Sequence, residues 1–222
     1  MPRSNFRQEV EIKLRVMDLS TLRHRLKQLR AREILPRTYE SNTLYDTPSR
    51  NLNRRGQLIR IRIEQPSANA RSIRGARTSG AILTYKGPSR SFRGSQTASR
   101  KRKDRTRFKI RDEVEVIVSD GEQMSAILHA LGLRPAFRYE KFRTTYALRG
   151  IRGLKVEFDE TPVGLFVELE GRSAAIDRAA RLLGYARSDY MTESYGALYI
   201  ADCRRHGRKP GHMLFQSMKK LH

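Results

Sequence analysis

The 222 residues carry a formal net charge of +23, with 46 Lys and Arg against 23 Asp and Glu. That length suits one or two domains, and the charge calls for an anionic partner: phosphate, nucleotide, nucleic acid or an acidic surface. No apolar run approaches the ~18–20 residues of a membrane span, no apolar core follows Met1-Pro2-Arg3-Ser4 as a secretion signal requires, and the single cysteine, Cys203, excludes an intramolecular disulfide and fits a reducing, cytoplasmic setting.

Residues 8–16 alternate strictly. Val10, Ile12, Leu14 and Val16 fall on one face, and Glu9, Glu11, Lys13 and Arg15 on the other, the period-two signature of a strand. Asp18 is placed to cap a helix in which Leu19, Leu22, Leu26 and Leu29 recur at helical spacing. Pro36 breaks that pattern. A second strand is predicted over 39–46, then a turn at Thr47-Pro48-Ser49-Arg50-Asn51. In a third strand over 57–64, Ile59, Ile61 and Ile63 alternate with Arg60, Arg62 and Glu64. A fourth, over 81–86, stops at Gly87-Pro88. In a fifth, over 108–118, Val114, Val116 and Val118 oppose Lys109, Arg111, Glu113 and Glu115.

Ser119-Asp120-Gly121-Glu122 has the form of a capping box, with Ser119 as the predicted N-cap. The helix behind it uses Met124, Ile127, Leu128 and Leu131 and stops at Gly132. Three more strands follow, over 139–148, 153–159 and 165–170. Their one-sided rows are Lys141, Arg143 and Thr145; Lys155, Glu157 and Asp159; Phe166, Glu168 and Glu170. A helix capped by Ser173 uses Ile176, Ala179, Ala180, Leu182 and Leu183 and ends at Gly184. A last helix is predicted over 192–203.

The excess charge is localised. Residues 65–80, 87–109 and 203–222 carry +3, +8 and +6. Residues 65–80 and 88–107 read as mobile basic loops, and 204–222 as a loose basic tail. The rest amounts to about eight strands and four helices in one domain over 1–203, with a strand–helix–strands order occurring twice, in 8–86 and 108–170.

Rows of charge recur on strand after strand. Lys13, Arg60, Arg62, Lys86, Arg111, Lys141, Arg143 and Lys155 supply cations, and Glu9/Glu11, Glu113/Glu115, Glu157/Asp159 and Glu168/Glu170 supply paired acids. A single such strand is a solvated face. In register they predict an α+β fold: a closed or nearly closed eight-stranded antiparallel β-barrel, helices packed outside, charged faces lining the inside. Buried charges without partners cost several kcal/mol each, so that lumen must be wet and bind ions. A triphosphate with divalent metal matches it. Arg forks and Lys point charges suit phosphate oxygens, and carboxylates suit a hard cation.

These residues resemble the CYTH superfamily, the triphosphate tunnel metalloenzymes. The resemblance rests on Glu9-x-Glu11-x-Lys13, on Thr43-Leu44-Tyr45-Asp46-Thr47-Pro48, on Gly56 ahead of Arg60-Ile61-Arg62, and on Leu83-Thr84-Tyr85-Lys86-Gly87-Pro88. It continues through Glu113-Val114-Glu115, Lys141-Phe142-Arg143, Phe158-Asp159-Glu160 and Gly164-Leu165-Phe166-Val167-Glu168-Leu169-Glu170, and covers residues 8–200. Lys141-x-Arg143-x-x-Tyr146 and Ser194-Tyr195 bring it nearest to class IV adenylyl cyclase-like proteins. The basic segments 88–107 and 204–222 depart from the common pattern.

The resemblance implies that Glu9, Glu11, Asp159, Glu168 and Glu170 hold Mg2+ or Mn2+. It implies that Lys13, Arg60, Arg62, Lys86, Arg111, Lys141 and Arg143 grip phosphates, with Glu113 and Glu115 behind them or positioning water. Glu9, Glu11, Lys13 and Asp159 would be the catalytic group. Implied substrates are inorganic triphosphate, ATP or thiamine triphosphate. Implied reactions are hydrolysis, or cyclisation of ATP to cyclic AMP and pyrophosphate. A non-catalytic polyphosphate- or RNA-binding module is the rival. Nucleic acid is not favoured, because no aromatic residues interleave the basic loops. A membrane partner is not expected; a monomer or homodimer is. Tyr195, Tyr199 and Met191 are candidates to close one tunnel mouth or simply to pack. The five histidines lack metal-ligand spacing, and no Gly-x-x-x-x-Gly-Lys phosphate loop is present.

Overall fold

A computed structural model describes residues 6–66, 80–89 and 108–215. Most of the two basic loops therefore lies outside the described residues. The elements run β1 (Arg7–Val16), α1 (Leu19–Gln28), β2 (Arg32–Asp46), α2 (Asn51–Arg54), β3 (Leu58–Pro66), β4 (Ala81–Lys86), β5 (Lys109–Val118), α3 (Gly121–Ala130), β6 (Arg134–Ala147), β7 (Lys155–Thr161), β8 (Gly164–Glu170), α4 (Ser173–Leu182) and α5 (Tyr195–Arg205). The eight strands close into an antiparallel barrel in the order β1-β5-β4-β3-β2-β6-β7-β8. Closure removes every sheet edge.

The alternation decides which face goes where. Ile12, Leu14, Val156, Val167 and Leu169 are fully buried on the outside of β1, β7 and β8, against Leu22 and Leu26 of α1 and Ile176, Ala179 and Ala180 of α4. A smaller outer cluster gathers Ile61 and Ala81 under Leu128 of α3. A third cluster caps one end of the barrel, where Tyr195, Leu198, Tyr199 and Cys203 of α5 meet Tyr139, Phe166 and Met213.

α1 and α3 open alike. Asp18 and Asp120 are extended N-caps with φ, ψ of −133°, 111° and −137°, 111°, and each side chain accepts from the amide two residues on. The capping residue of α3 is thus Asp120, not Ser119, because Asp120 Oδ1 also takes the Gln123 amide. α4 begins after Arg172 with no side-chain cap, so Ser173 is its first residue rather than its cap.

β2 starts seven residues before the predicted strand. The helix has already ended at Leu29, and Arg30 turns the chain at φ 49°. Register shifts at Glu33/Leu35 and Leu35/Thr38 accommodate Pro36, which has no N–H to give to the β6 ladder. β6 starts early as well, at Arg134, because it pairs along the whole of β2.

The last helix begins three residues late, at Tyr195, with Ser194 accepting from the Ala197 amide. Met191 is occupied elsewhere. It exchanges both backbone hydrogen bonds with Lys13, at 2.8 and 2.9 Å, where β1 has outrun β5. The tail is not loose as far as Phe215. Met213 is fully buried and bridges Tyr139, with Met213 N donating to Arg138 O and Glu140 N to Met213 O, both at 3.0 Å. Residues 216–222 lie outside the described residues.

Candidate active site in the barrel lumen

The inward faces of the strands bring charged side chains to a cavity of about 560 Å³, with β2 adding only Asp46 at its end. Glu9, Glu11 and Lys13 come from β1, Arg60 and Arg62 from β3, Lys86 from β4, and Lys109, Arg111, Glu113 and Glu115 from β5. Lys141 and Arg143 come from β6, Lys155 and Glu157 from β7, and Glu168 and Glu170 from β8. Every residue proposed from the sequence lines this cavity except Asp159. That carboxylate is fully buried behind the lining. It accepts from Lys141 Nζ at 3.0 Å, from Arg143 Nε and Nη2 at 2.7 and 2.6 Å, and from the Tyr195 hydroxyl at 2.6 Å. Its geometry is that of a brace under two cations.

The other charges form a dense lattice. Lys13 Nζ meets Glu168 at 2.9 Å and Glu11 at 3.5 Å. Lys86 Nζ meets Glu9 at 2.6 Å and Glu113 at 3.1 Å. Glu115 accepts from Thr84 at 2.9 Å and Arg60 at 3.3 Å, with Arg62 at 3.6 Å. Arg7 and Lys155 hold Glu170 at 3.1 and 3.0 Å. Arg143 is the hub, within ion-pair range of Glu40, Glu157, Asp159 and Glu168.

Arg111 is different. Its Nη2 donates to the Gly56 carbonyl at 2.7 Å. Among the described residues no carboxylate comes within ion-pair distance of it, yet it lines the cavity.

Charge and burial compete at every position. Burial opposes ionisation of Glu11 and Glu168, but Lys109 and Lys13 beside the first, and Lys13 and Arg143 beside the second, hold both carboxyls below the usual range. Glu9 goes the other way: burial and neighbouring Glu11 push it up against the pull of Lys86. Burial, with Glu168 beside it, pushes Glu157 up to about 7 despite Arg143. Burial pulls Lys109 down.

Several charged groups in the lining or directly behind it lie outside the proposed set, Arg7, Asp46, Arg50 and Lys155 among them. Glu40 on β2 is 3% exposed and sits among Lys141, Arg143 and Arg62. Those cations override burial and hold its carboxyl at about 2. Its signal was present: Glu40 and Asn42 alternate with Tyr39 and Ser41. Glu157 and Lys109 stand in charged rows but have no counterpart in the resemblance. Tyr195 does more than pack, since its ring lies under Lys13 and Lys141 at 5.0 and 5.4 Å.

The donor set fits a hard divalent cation in chemistry. Three acidic pairs face each other directly across strands: Glu11 with Glu170, Glu157 with Glu168, and Glu40 with Glu64. Such pairs repel unless a cation lies between them. Behind the lining, both Asn42 amide atoms are buried without a hydrogen-bond partner among the described residues, whereas Glu40 Oε2 lies 3.4 Å from Lys141 Nζ. Among the described residues no three acids or histidines converge on one point, because lysines and arginines already hold the carboxylates.

The profile of the CYTH domain family matches residues 7–195. The chain belongs to the CYTH family. A Methanocaldococcus jannaschii relative, named provisionally as an adenylate cyclase, is 25% identical over 194 residues, 87% of this chain and 90% of the relative. A solved structure from Vibrio parahaemolyticus, also provisionally an adenylate cyclase, superposes with a TM-score of 0.62 at 20% identity, covering 86% of this chain and 96% of its own. One from Hippeastrum, provisionally an adenylyl cyclase and reported with a dominant triphosphatase activity, gives 0.53 at 19% identity, covering 91% and 97%. These likenesses establish the tunnel fold. No helix among the described residues is long and apolar enough to cross a membrane.

Proposed function

We propose that this CYTH protein is a divalent-metal-dependent enzyme that binds a triphosphate inside the barrel and hydrolyses it. The observation that carries the reading is Arg111, a guanidinium that faces the cavity with no acid partner among the described residues, set among lysines and arginines whose acids can be given up to metal. Arg111, Lys86, Arg60 and Arg62 would hold phosphate oxygens from one side, and Lys13, Lys141 and Arg143 from the other. Glu9, Glu11, Glu168 and Glu170 would hold Mg2+ or Mn2+. The metal would neutralise phosphate charge and polarise the phosphorus–oxygen bonds. Asp159 would keep Lys141 and Arg143 aimed, and Glu113 and Glu115 would do so for Lys86, Arg60 and Arg62.

Near-balance of the lumen supports this. Eleven cationic and eight acidic side chains line it, with Glu40 and Asp159 directly behind. A free triphosphate would leave that cage strongly negative, whereas a metal–triphosphate complex would not. Glu157, pushed up to about 7 with Arg143 beside it, is suited to take a proton from attacking water at neutral pH while Arg143 stays in place.

A second reading is a class IV adenylyl cyclase, in which the ribose 3′-hydroxyl attacks the α-phosphorus and pyrophosphate leaves. The name of the Methanocaldococcus jannaschii relative favours it. Product analysis decides. With Mn2+, ATP and inorganic triphosphate are incubated separately and the products resolved. Orthophosphate without cyclic AMP is the expected result; cyclic AMP with pyrophosphate would overturn hydrolysis. Turnover of neither would leave a non-catalytic polyanion-binding module, which Glu11→Ala would leave able to bind.

A further inference from the structure

The family match ends at residue 195, but the wall of the cavity does not. Ala197 and Ile200 of α5 line it, and so do Pro210 and Gly211 beyond the helix. They face the ends of β2 and β6, where Leu44 and Phe137 line the same cavity and pair directly across strands. One side of the mouth is therefore apolar. The other side carries Arg50, Asn53, Gln57 and Lys86. Ile200 is 39% exposed there, a large apolar side chain left open beside a charged cage.

The arm that supplies this side is held firmly. Asp202, itself buried, receives Arg205 at 3.0 Å and also Arg208, whose amide donates to the Cys203 carbonyl at 2.8 Å. Gly211 N donates to the Tyr199 hydroxyl at 3.3 Å, and Arg138 N donates to His212 Nδ1 at 3.2 Å. Met213 is sealed against Tyr139, and Phe215 N reaches Glu140 at 3.0 Å while its ring packs on Phe142 at 5.3 Å. This fixed segment leaves Gly211 bordering open space: a Cβ there meets nothing within 4 Å.

We infer that the C-terminal arm, residues 204–215, is a specificity wall: it completes an apolar ledge on which the organic ring of a triphosphate rests, and so sets the preference between organic and inorganic triphosphate. The inference rests on the triphosphate reading of the lumen. A phosphate chain gains nothing from Leu44, Phe137, Ile200 and Pro210. A heteroaromatic ring gains apolar burial there while its phosphates reach the cations. The cavity, at about 560 Å³, has the size of sites that hold a whole organic ligand.

The test compares kcat/KM for ATP with that for inorganic triphosphate, both with Mn2+, in the full chain and two variants. Gly211→Phe fills the open space at the ledge. Asp202→Asn loosens the arm without touching the cavity. Calorimetric titration with the two Mn2+-loaded triphosphates gives the same ratio for binding, and thermal unfolding verifies folding. The ATP to inorganic triphosphate ratio is expected to fall about tenfold or more in Gly211→Phe, and in the same direction in Asp202→Asn. An unchanged ratio, an equal loss for both substrates, or a rise in the ratio would overturn the specificity role. Failure of the wild type to bind or turn over either triphosphate would be seen before any variant is compared. It would sink the triphosphate reading and this inference with it.

Discussion

The barrel has an acidic side and a cationic side, built from the same strand pattern. On β1, β7 and β8 the inward faces carry Glu9, Glu11, Glu157, Asp159, Glu168 and Glu170 against Arg7, Lys13, Arg15 and Lys155. On β3, β4 and β5 they carry Arg60, Arg62, Lys86, Lys109 and Arg111 against Glu64, Glu113 and Glu115. The outer faces differ in step. Behind the acidic side, Ile12, Leu14 and Leu169 are fully sealed under α1 and α4, whereas behind the cationic side Ile63 and Val116 are 42% and 48% exposed. Paired acids facing one another need cations placed closely, and a tightly packed wall fixes that geometry. Arginine and lysine reach phosphate on long side chains, so the cationic wall tolerates looser backing.

The largest expected effect lies at Arg143 on the neighbouring β6, which ties Glu157, Asp159 and Glu168 together. Arg143→Ala leaves those buried acids and Glu40 short of a partner and should cost about 3–5 kcal/mol in urea unfolding. Arg111→Ala, across the lumen, orphans no acid among the described residues. Its stability should stay within about 1 kcal/mol of wild type while kcat/KM on triphosphate falls by about 10²–10³-fold. Equal stability losses in the two variants would erase the contrast.

The outer faces give a matched pair. Ile12→Ala should cost about 2–5 kcal/mol, and Ile63→Ala about 1 kcal/mol or less, both read from denaturant midpoints at unchanged slope. Similar values would mean that the cationic wall is as well backed as the acidic one.

Acid should separate two carboxylates by sign. Glu40 is held down at about 2, so it binds fewer protons in the folded state. Its contribution to stability is complete above the ordinary carboxylate range and is lost as pH falls toward 2. Glu157 is pushed up to about 7 and keeps its proton when folded, so stability drains away as pH rises from the carboxylate range to about 7. Compared with wild type, Glu40→Gln should flatten the acid limb of the stability–pH curve, and Glu157→Gln should remove the decline below pH 7. The same slope in both variants would contradict the assignment.

The smallest effects belong to the two helix caps. Asp18→Ala and Asp120→Ala should each lower the unfolding midpoint only slightly and to a similar extent, because both caps share one backbone geometry and each accepts from the amide two residues on. A markedly larger loss at Asp18 would show that docking of α1 on the sealed side depends on its cap.

Much of this architecture is legible without coordinates. The eight strands, their inward rows and the Glu9-Glu11-Lys13 strand follow from alternation. The boundaries of β2 and β6 do not, because Pro36 ends a local helical pattern while ladder pairing with β6 carries the strand through it. Ser119 and Asp120 compete for one cap, and only the backbone turn chooses between them. Glu40 sits alone on a strand otherwise rich in uncharged residues, so its place among Arg62, Lys141 and Arg143 emerges only when β2 lies between β3 and β6.

By itself the sequence determined which side chains share a face, because a strand's period is set by its own backbone. It therefore determined the composition of the lumen. The tertiary structure alone decided who meets whom across it: that Asp159 lies behind the lining as a brace, that Arg143 joins four acids, that Arg111 meets none among the described residues, and that a basic tail returns to wall the mouth. Those contacts join residues far apart in the chain, and closure of the barrel is what fixes their distances.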